Sequence, residues 1–334
     1  MATYKGIKGY NVEALGSDPP AVAAYEGKVW FNTASQVMKG VDNLGPGTWS
    51  AGGDVNVGRY GPAGGGTSTA GVIMGGGGPP TPVTEVDTET YDGTTWTEAN
   101  NVPGEGVYGT GMGTQAACLY CAMSPTSTFY LWDGTNYTTS PAFNTARYGS
   151  GGGGISTDGI MAAGWAPGIP TNSEEWNGTA WSEGADINQG RSQIQGGGTS
   201  STSSIIAGGR IPIPPDNSAN TTRSEEWNGT SWCEVNDCDA RDEGGGGGAS
   251  GTDALLYGGR IGIWPAPSPT APGVCLQYNG TSWTAVGSLT TGRGAPNKGG
   301  TVAVGAFCAT GDPFTLVSTE EYAAAFQAVT FTTD

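Results

Sequence analysis

The chain has 334 residues, 61 of them glycine and 21 proline, with 13 lysines plus arginines against 30 aspartates plus glutamates and a formal charge of −17. That density of glycine and proline excludes long helices, while 11 Trp, 13 Tyr and 7 Phe supply a core that a disordered acidic tail lacks, so a folded, β-rich chain is expected. A surface this acidic excludes nucleic acid as a partner, and the absence of histidine removes the usual general base and the commonest metal ligand.

The opening stretch, MATYKGIKG, has no apolar run behind Lys5 and Lys8, and no segment approaches the roughly 18 apolar residues of a membrane span. Neither a signal peptide nor membrane insertion is expected. Residues 1–44 fit no repeat and hold Lys5, Lys8, Lys28 and Lys39, four of the five lysines in the chain. Within them EGKVWFNTASQVMKGV predicts a β-hairpin, VWFN and QVMKGV about Thr33, Ala34 and Ser35. Lys5, Lys8, Lys28, Trp30 and Phe31 are the candidate residues of an attachment arm.

From residue 45 onward the chain repeats itself. Segments of the form aromatic, Asp or Asn, Gly, Thr, any residue, aromatic recur as YDGTTW (91–96), WDGTNY (132–137), WNGTAW (176–181), WNGTSW (227–232) and YNGTSW (278–283). Asp-Gly and Asn-Gly between strand-like runs predict a tight outer hairpin, with positive φ at the central residues. Before each hairpin, and once more near the end, stands an apolar run closing on small residues: VIMGGGG (72–78), LYCAM (119–123), IMAAG (160–164), IIAGG (205–209), LLYGG (255–259) and AFCATG (306–311). About ten residues after the last aromatic, Arg59, Arg147, Arg191, Arg241 and Arg293 introduce glycine-rich stretches, with Gly106 in that place in the second repeat. The last aromatics fall at 49, 96, 137, 181, 232 and 283, so the period is 41 to 51 residues and there are six repeats. Such a period, with several short strands each, predicts the blades of a propeller.

The sixth repeat supplies a third strand in STEEYAAAF (318–326) but no following hairpin, and the missing piece, GPGTW (45–49), lies at the other end. The N-terminal strand is therefore expected to complete the last blade and leave no unpaired edge. The tail from Phe326 to Asp334 has two readings, pairing with the arm or hanging free. The glycine runs at 64–66, 151–154, 196–198 and 244–248 fall where innermost strands belong, and none is followed by the Gly-Lys-Ser/Thr of a phosphate loop. Of the six cysteines only Cys118 and Cys121 form a CxxC pair, so buried strand thiols are expected. The three Asn-Gly-Thr sequons coincide with hairpin turns, which already account for them.

The order of strand, Gly-Gly, variable loop, Tyr or Trp, then Trp resembles the kelch repeat over residues 45–325, with Cys121-Ala122 replacing Gly-Gly in the second repeat. The resemblance implies an all-β fold: a six-bladed kelch-like β-propeller over 45–334, closed by an N-terminal strand and preceded by the hairpin arm over 1–44. The arm is similar to short hairpins of bacteriophage tail-fibre and other virion appendage proteins. Together the two resemble a virion structural protein of a tailed phage, of the kind met in phages of marine bacteria, cyanophages among them. That resemblance implies a virion location and contacts of residues 1–44 with other virion proteins.

Enzymes built on similar propellers do not fit. Galactose oxidase needs histidines for its copper. A sialidase needs an arginine triad, and the periodic arginines here are explained by the repeat. Glu174-Glu175, Glu225-Glu226 and Glu320-Glu321 precede the hairpin aromatic at one repeat position, and adjacent strand residues face opposite sides, so no pair converges on one atom. They read as blade-edge or inter-blade partners. The expectation is a non-enzyme without cofactor or resident metal, whose loop carboxylates would hold calcium only weakly. Variation sits in the loops at 77–87, 165–172, 210–222 and 260–273, stiffened by proline. Trp165 and Trp264 are the tryptophans outside the arm that the repeat does not require, and with Arg210, Asp216, Arg223 and Arg260 they form the candidate face for a receptor or partner. Packing of both tryptophans as loop anchors is the competing reading. Two functions follow: an adhesin that touches a host-surface glycan or protein, and a non-adhesive virion component, which the short loop at Met123–Ser127 favours. A homo-oligomer fits either.

Overall fold

A computed structural model of the protein describes residues 12–19, 28–78, 83–121, 129–166, 168–213, 217–264, 271–299, 305–313 and 316–330. Among them the fold is all-β, built from small sheets that are antiparallel but for one parallel pair near the N-terminus, and without a helix, an arrangement consistent with a β-propeller. Two compact units are present, one of Met1–Thr48 with Ala323–Asp334 and one of Trp49–Tyr322.

Strands β1 (Glu13–Leu15), β2 (Val29–Asn32) and β3 (Val37–Ala51) open the chain. The first four-stranded sheet follows in chain order, from β4 (Ala63–Thr67) and β5 (Ala70–Gly78) to β6 (Val83–Tyr91) and β7 (Trp96–Ala99). The second holds β8 (Thr110–Thr114), β9 (Ala117–Cys121), β10 (Phe129–Trp132) and β11 (Tyr137–Ser140), and the third β12 (Gly151–Ile155), β13 (Asp158–Ala162), β14 (Ser173–Trp176) and β15 (Trp181–Glu183). In the fourth, β16 (Gln195–Ser200) and β17 (Ser203–Ala207) are separated from β20 (Ser224–Trp227) and β21 (Trp232–Val235) by a loop hairpin, β18 (Arg210–Ile213) and β19 (Asn217–Asn220). The fifth is β22 (Gly245–Ser250), β23 (Asp253–Tyr257), β25 (Cys275–Tyr278) and β26 (Trp283–Val286), with β24 (Ile263–Trp264) in its loop. The last strands, β27 (Phe307–Ala309) and β28 (Thr319–Thr330), join the first three in the order β1-β2-β3-β28-β27. The tail is thus strand beside β3 through Thr330, and residues 331–334 lie outside the described residues.

Each repeated aromatic motif is the outer hairpin, with its two aromatics facing each other in register: Tyr91 and Trp96, Trp132 and Tyr137, Trp176 and Trp181, Trp227 and Trp232, Tyr278 and Trp283. The turn differs from the expectation of positive φ at both central residues. Only the glycine is left-handed, as at Gly93 with φ 92°, while Asp92 Oδ1 accepts the N–H groups of Thr94 and Thr95, both at 2.8 Å. The side chain of the Asp or Asn closes the loop as an Asx turn, so it needs no positive φ of its own.

The first aromatic then ties this hairpin to the inner one, as Trp176 Nε1 donates to Ser156 O at 2.9 Å and Trp227 Nε1 to Ser201 O at 2.6 Å. The second aromatic packs onto the preceding sheet. Trp181 lies with Phe129 and Phe143, and Trp232 with Ile160, Ile187 and Ile194, so the core is a series of apolar layers between successive sheets. Innermost strands meet glycine to glycine: a Cβ on Gly111 would stand 2.1 Å from Gly64 O, and one on Gly153 2.5 Å from Gly198 O. No residue but glycine fits there. Trp49 packs in the same manner, its ring 5.3 Å from Tyr322 and 5.6 Å from Tyr257.

In the arm unit the predicted hairpin forms, with Asn32 opposite Val37 and a turn from Thr33 to a left-handed Gln36. Asn32 Oδ1 accepts Ala34 N and Ser35 N, fixing the turn. Asp18 accepts from Trp30 Nε1, Asn32 Nδ2 and Lys39 Nζ, and the Lys39 ammonium and Asn32 amide hold its carboxyl below the ordinary value. No cysteine is bonded to another; five are buried, and Cys233 is exposed, a departure from the expectation of six buried thiols.

Candidate binding face

The periodic arginines are buried structural cations. Arg147 meets Glu174 at 2.8 Å, Arg191 meets Glu225 at 2.6 Å, Arg293 meets Glu320 at 2.7 Å, and Arg59 pairs with Glu89, all with side chains at or near zero exposure. Each carboxylate also caps the connecting segment: Glu174 accepts Asn144 N and Nδ2, and Glu225 accepts Asn188 N and Nδ2. The first glutamate of each sequence pair is therefore the arginine's partner. In the fifth sheet Leu276 occupies that position, and Arg241 turns to Asp239 instead.

The residues just after these arginines carry the site. Two positions on, the backbone is left-handed in every repeat, at Gly61 (φ 60°), Tyr108 (60°), Gly149 (66°), Gln193 (55°), Glu243 (50°) and Ala295 (44°). A belt of backbone bonds links them: Gly61 N to Ala295 O at 2.7 Å, Ala295 N to Glu243 O at 2.7 Å, Glu243 N to Gln193 O at 3.1 Å, Ile194 N to Gly149 O at 3.1 Å, and Gly109 N to Gly61 O at 3.2 Å. Tyr, Gln and Glu seldom adopt such φ, and each costs on the order of 1–3 kcal/mol.

One position on, isolated bridges pair Tyr60 with Gly77, Tyr148 with Trp165, Ser192 with Arg210, Asp242 with Arg260, and Gly294 with Asp312. Trp165, Arg210, Arg260 and Asp312 thus head their loops at one shared repeat position. Along the first three sheets the neighbours are aromatic. Tyr60 and Tyr108 meet edge to face at 5.8 Å, and Tyr148 lies 5.0 Å from Trp165, which is 47% exposed. Along the others they are charged: Arg210 Nε donates to Asp242 Oδ2 at 2.5 Å and its Nη2 lies 3.2 Å from Glu243 Oε1, while Arg260 reaches Glu243 Oε2 at 3.2 Å and Asp312 Oδ2 at 2.8 Å. Burial raises the Tyr108 hydroxyl, Glu243 adds to this, and Arg260 and Arg210 oppose it. Burial also raises the Glu243 carboxyl against the pull of Arg260.

Beneath the belt, Lys298 Nζ donates to Ile194 O at 3.4 Å in a small cavity shared with Thr110, Ser150, Gly196 and Gly246. Burial lowers its ammonium to about 8, with Glu243 and Asp242 acting the other way.

Of the sequence-predicted residues, Trp165, Arg210 and Arg260 meet at this belt. Trp264 stands in β24 opposite Ser218 of β19, so the loops at 210–222 and 260–273 are joined in a three-stranded sheet that the sequence does not announce. Arg223 is apart, half-exposed and paired with Glu234 at 2.9 Å. Asp216, Lys5, Lys8 and Met123–Ser127 lie outside the described residues. In the arm Trp30 is buried, Phe31 is partly buried and Lys28 is exposed. Sequence reasoning missed Tyr60, Tyr108, Tyr148, Asp242, Glu243, Asp312 and Lys298; the signal for Tyr60, Tyr148, Asp242 and Glu243 was register, one or two residues past a periodic arginine, Tyr108 stands two past Gly106, and Asp312 and Lys298 carry no such signal. Among the described residues no three Cys, Asp or Glu side chains come together to hold a metal, and no helix is long and apolar enough to cross a membrane. No protein-family model matches the chain, and no curated protein matches it.

Proposed function

We propose that the chain is a non-catalytic recognition module of a tailed-phage virion: a six-bladed, kelch-like β-propeller carried on an appendage by residues 1–44 and presenting its belt and second-to-third-strand loops to a glycan or protein of the host surface. The observation that carries recognition is the exposed Trp165 ring tilted against Tyr148 at the head of its loop, together with two long loops joined into a sheet. An aromatic ring left half in water at an ordered position favours contact with a partner. The ring of six blades is supported by Gly299 N donating to Gly246 O and Gly64 N to Lys298 O, bonds that connect the segment before β27 to both the fifth and the first sheets. The virion location rests on the arm's resemblance alone.

The test is competition. Full-length protein added to host cells should lower the number of virions that adsorb, in proportion to dose, and Trp165→Ala should weaken that effect. A folded chain that neither binds cells nor competes would overturn recognition and leave the non-adhesive virion component as the reading.

A further inference from the structure

We propose that the belt binds a neutral sugar of a surface glycan, its apolar C–H face on Trp165 and Tyr148 and its hydroxyls on the partly exposed Arg210, Arg260 and Asp312; this rests on the recognition reading and names its ligand class. A pyranose is two-sided, with a flat patch of C–H bonds and a rim of vicinal hydroxyls that donate and accept. Its complement is an aromatic plane next to planar, multidentate polar groups. The belt brings both together at equivalent repeat positions, and Gly164 N donates to Arg191 O at 3.0 Å, which sets Trp165 beside the bridge of Ser192 with Arg210.

Charge decides between sugar classes. Arg210, Arg260 and Lys298 balance Asp242, Glu243 and Asp312, and both guanidiniums are already held by carboxylates. An anionic sugar would have to break those pairs on a chain of net charge −17. A neutral sugar leaves them intact and adds hydrogen bonds at their edges.

A second observation points the same way. Gln193 Oε1 is buried at the belt and accepts no hydrogen bond among the described residues, and Gln193 lies against Gly149 of the neighbouring sheet. A buried acceptor left unmade is unfavourable, and a hydroxyl donor is the group that satisfies it. The left-handed Tyr108, Gln193 and Glu243 fit the same picture, since backbone strain of this kind collects at ligand clamps. A protein partner fits less well. Such an interface covers about 800 Å² a side around an apolar centre, and the large apolar side chains exposed at the loop heads, among the described residues, are Trp165 and Ile261.

The experiment is an array of neutral and acidic glycans probed with the full-length protein, alongside its binding to host cells before and after periodate, which cleaves vicinal diols. Binding to neutral glycans, at least tenfold weaker for Trp165→Ala and for Arg260→Lys, with cell binding lost after periodate, is the expected result. Binding confined to uronate- or sialate-bearing glycans would overturn the neutral-sugar assignment. Cell binding that survives periodate but not protease, with an empty array, would overturn the sugar and leave recognition standing. An array bound by the protein while host cells are not would uphold the sugar site and defeat the host-recognition reading instead.

Discussion

The second and third sheets share strand order, hairpin chemistry and an apolar layer, yet only the third is organised around a buried ion pair. In the third, Asn144, Arg147 and Glu174 form one unit, in which the carboxylate takes the cation and the Asn144 backbone N–H together. In the second the same three positions are Pro103, Gly106 and Tyr130. Proline has no N–H to cap, glycine has no charge to neutralise, and Tyr130 packs among Val102, Tyr120 and Trp132. All three parts are gone together, and the sheet still forms. The pair is therefore one of two closed solutions to the same packing problem, and only a half-dismantled unit is costly.

Breaking one unit gives the largest expected effect. Glu225→Ala leaves Arg191 buried without its carboxylate and Asn188 N without its acceptor, so it should lose about 3–5 kcal/mol in chemical unfolding. A loss below about 1 kcal/mol, the scale of a surface pair, would show that water reaches the arginine and that the burial is not real.

Lys298 is a buried cation with no such unit, and pH should expose the difference. Its folded value of about 8 lies below the ordinary 10.5, so between those limits the unfolded chain holds a proton that the folded chain has released. Stability from this group therefore rises with pH across that window, and below about 8 the folded state carries the charged form at a cost. The stability of the wild type relative to Lys298→Met should grow by about 3 kcal/mol from pH 7 to pH 10.5. Parallel stability curves for the two proteins would refute it.

The third expectation is a rescue. Asn188→Pro, Arg191→Gly and Glu225→Tyr, made together, copy the second sheet into the fourth and should recover at least half of what Glu225→Ala loses, because no orphan remains. A triple variant less stable than the single one would mean that the two solutions depend on their neighbouring sheets.

The repeat made much of this fold legible, for a simple reason. Paired aromatics around Asp-Gly-Thr or Asn-Gly-Thr fix a hairpin locally, so the register of Trp176 with Trp181 or Tyr278 with Trp283 needs no tertiary information. Glycine runs read equally well, since close backbone approach tolerates nothing else. The belt did not, because Tyr108, Glu243 and Asp312 lie far apart in sequence: Tyr108 and Glu243 share only an offset from Gly106 and Arg241, and Asp312 joins them through its bridge to Gly294. Trp165, Arg210 and Arg260 stood out by residue type, but that they head their loops at one position emerges from the bridges to Tyr148, Ser192 and Asp242. Arg223 looked equivalent by proximity in sequence and pairs with Glu234 instead, away from the belt.

The smallest expected effect separates the belt from the packed layers. Trp176 is 1% exposed and fills the layer between the second and third sheets, whereas Trp165 is 47% exposed and rests on Tyr148 alone among the aromatic rings. Trp165→Ala removes a half-exposed ring, creates no enclosed cavity and leaves the Tyr148 backbone bridge in place, so stability should change by no more than about 1 kcal/mol. Trp176→Ala should lose about 3–5 kcal/mol. If thermal melts show Trp165→Ala to be as damaging as that, the ring is a loop anchor, and the loss of binding by the same variant would say nothing about a ligand.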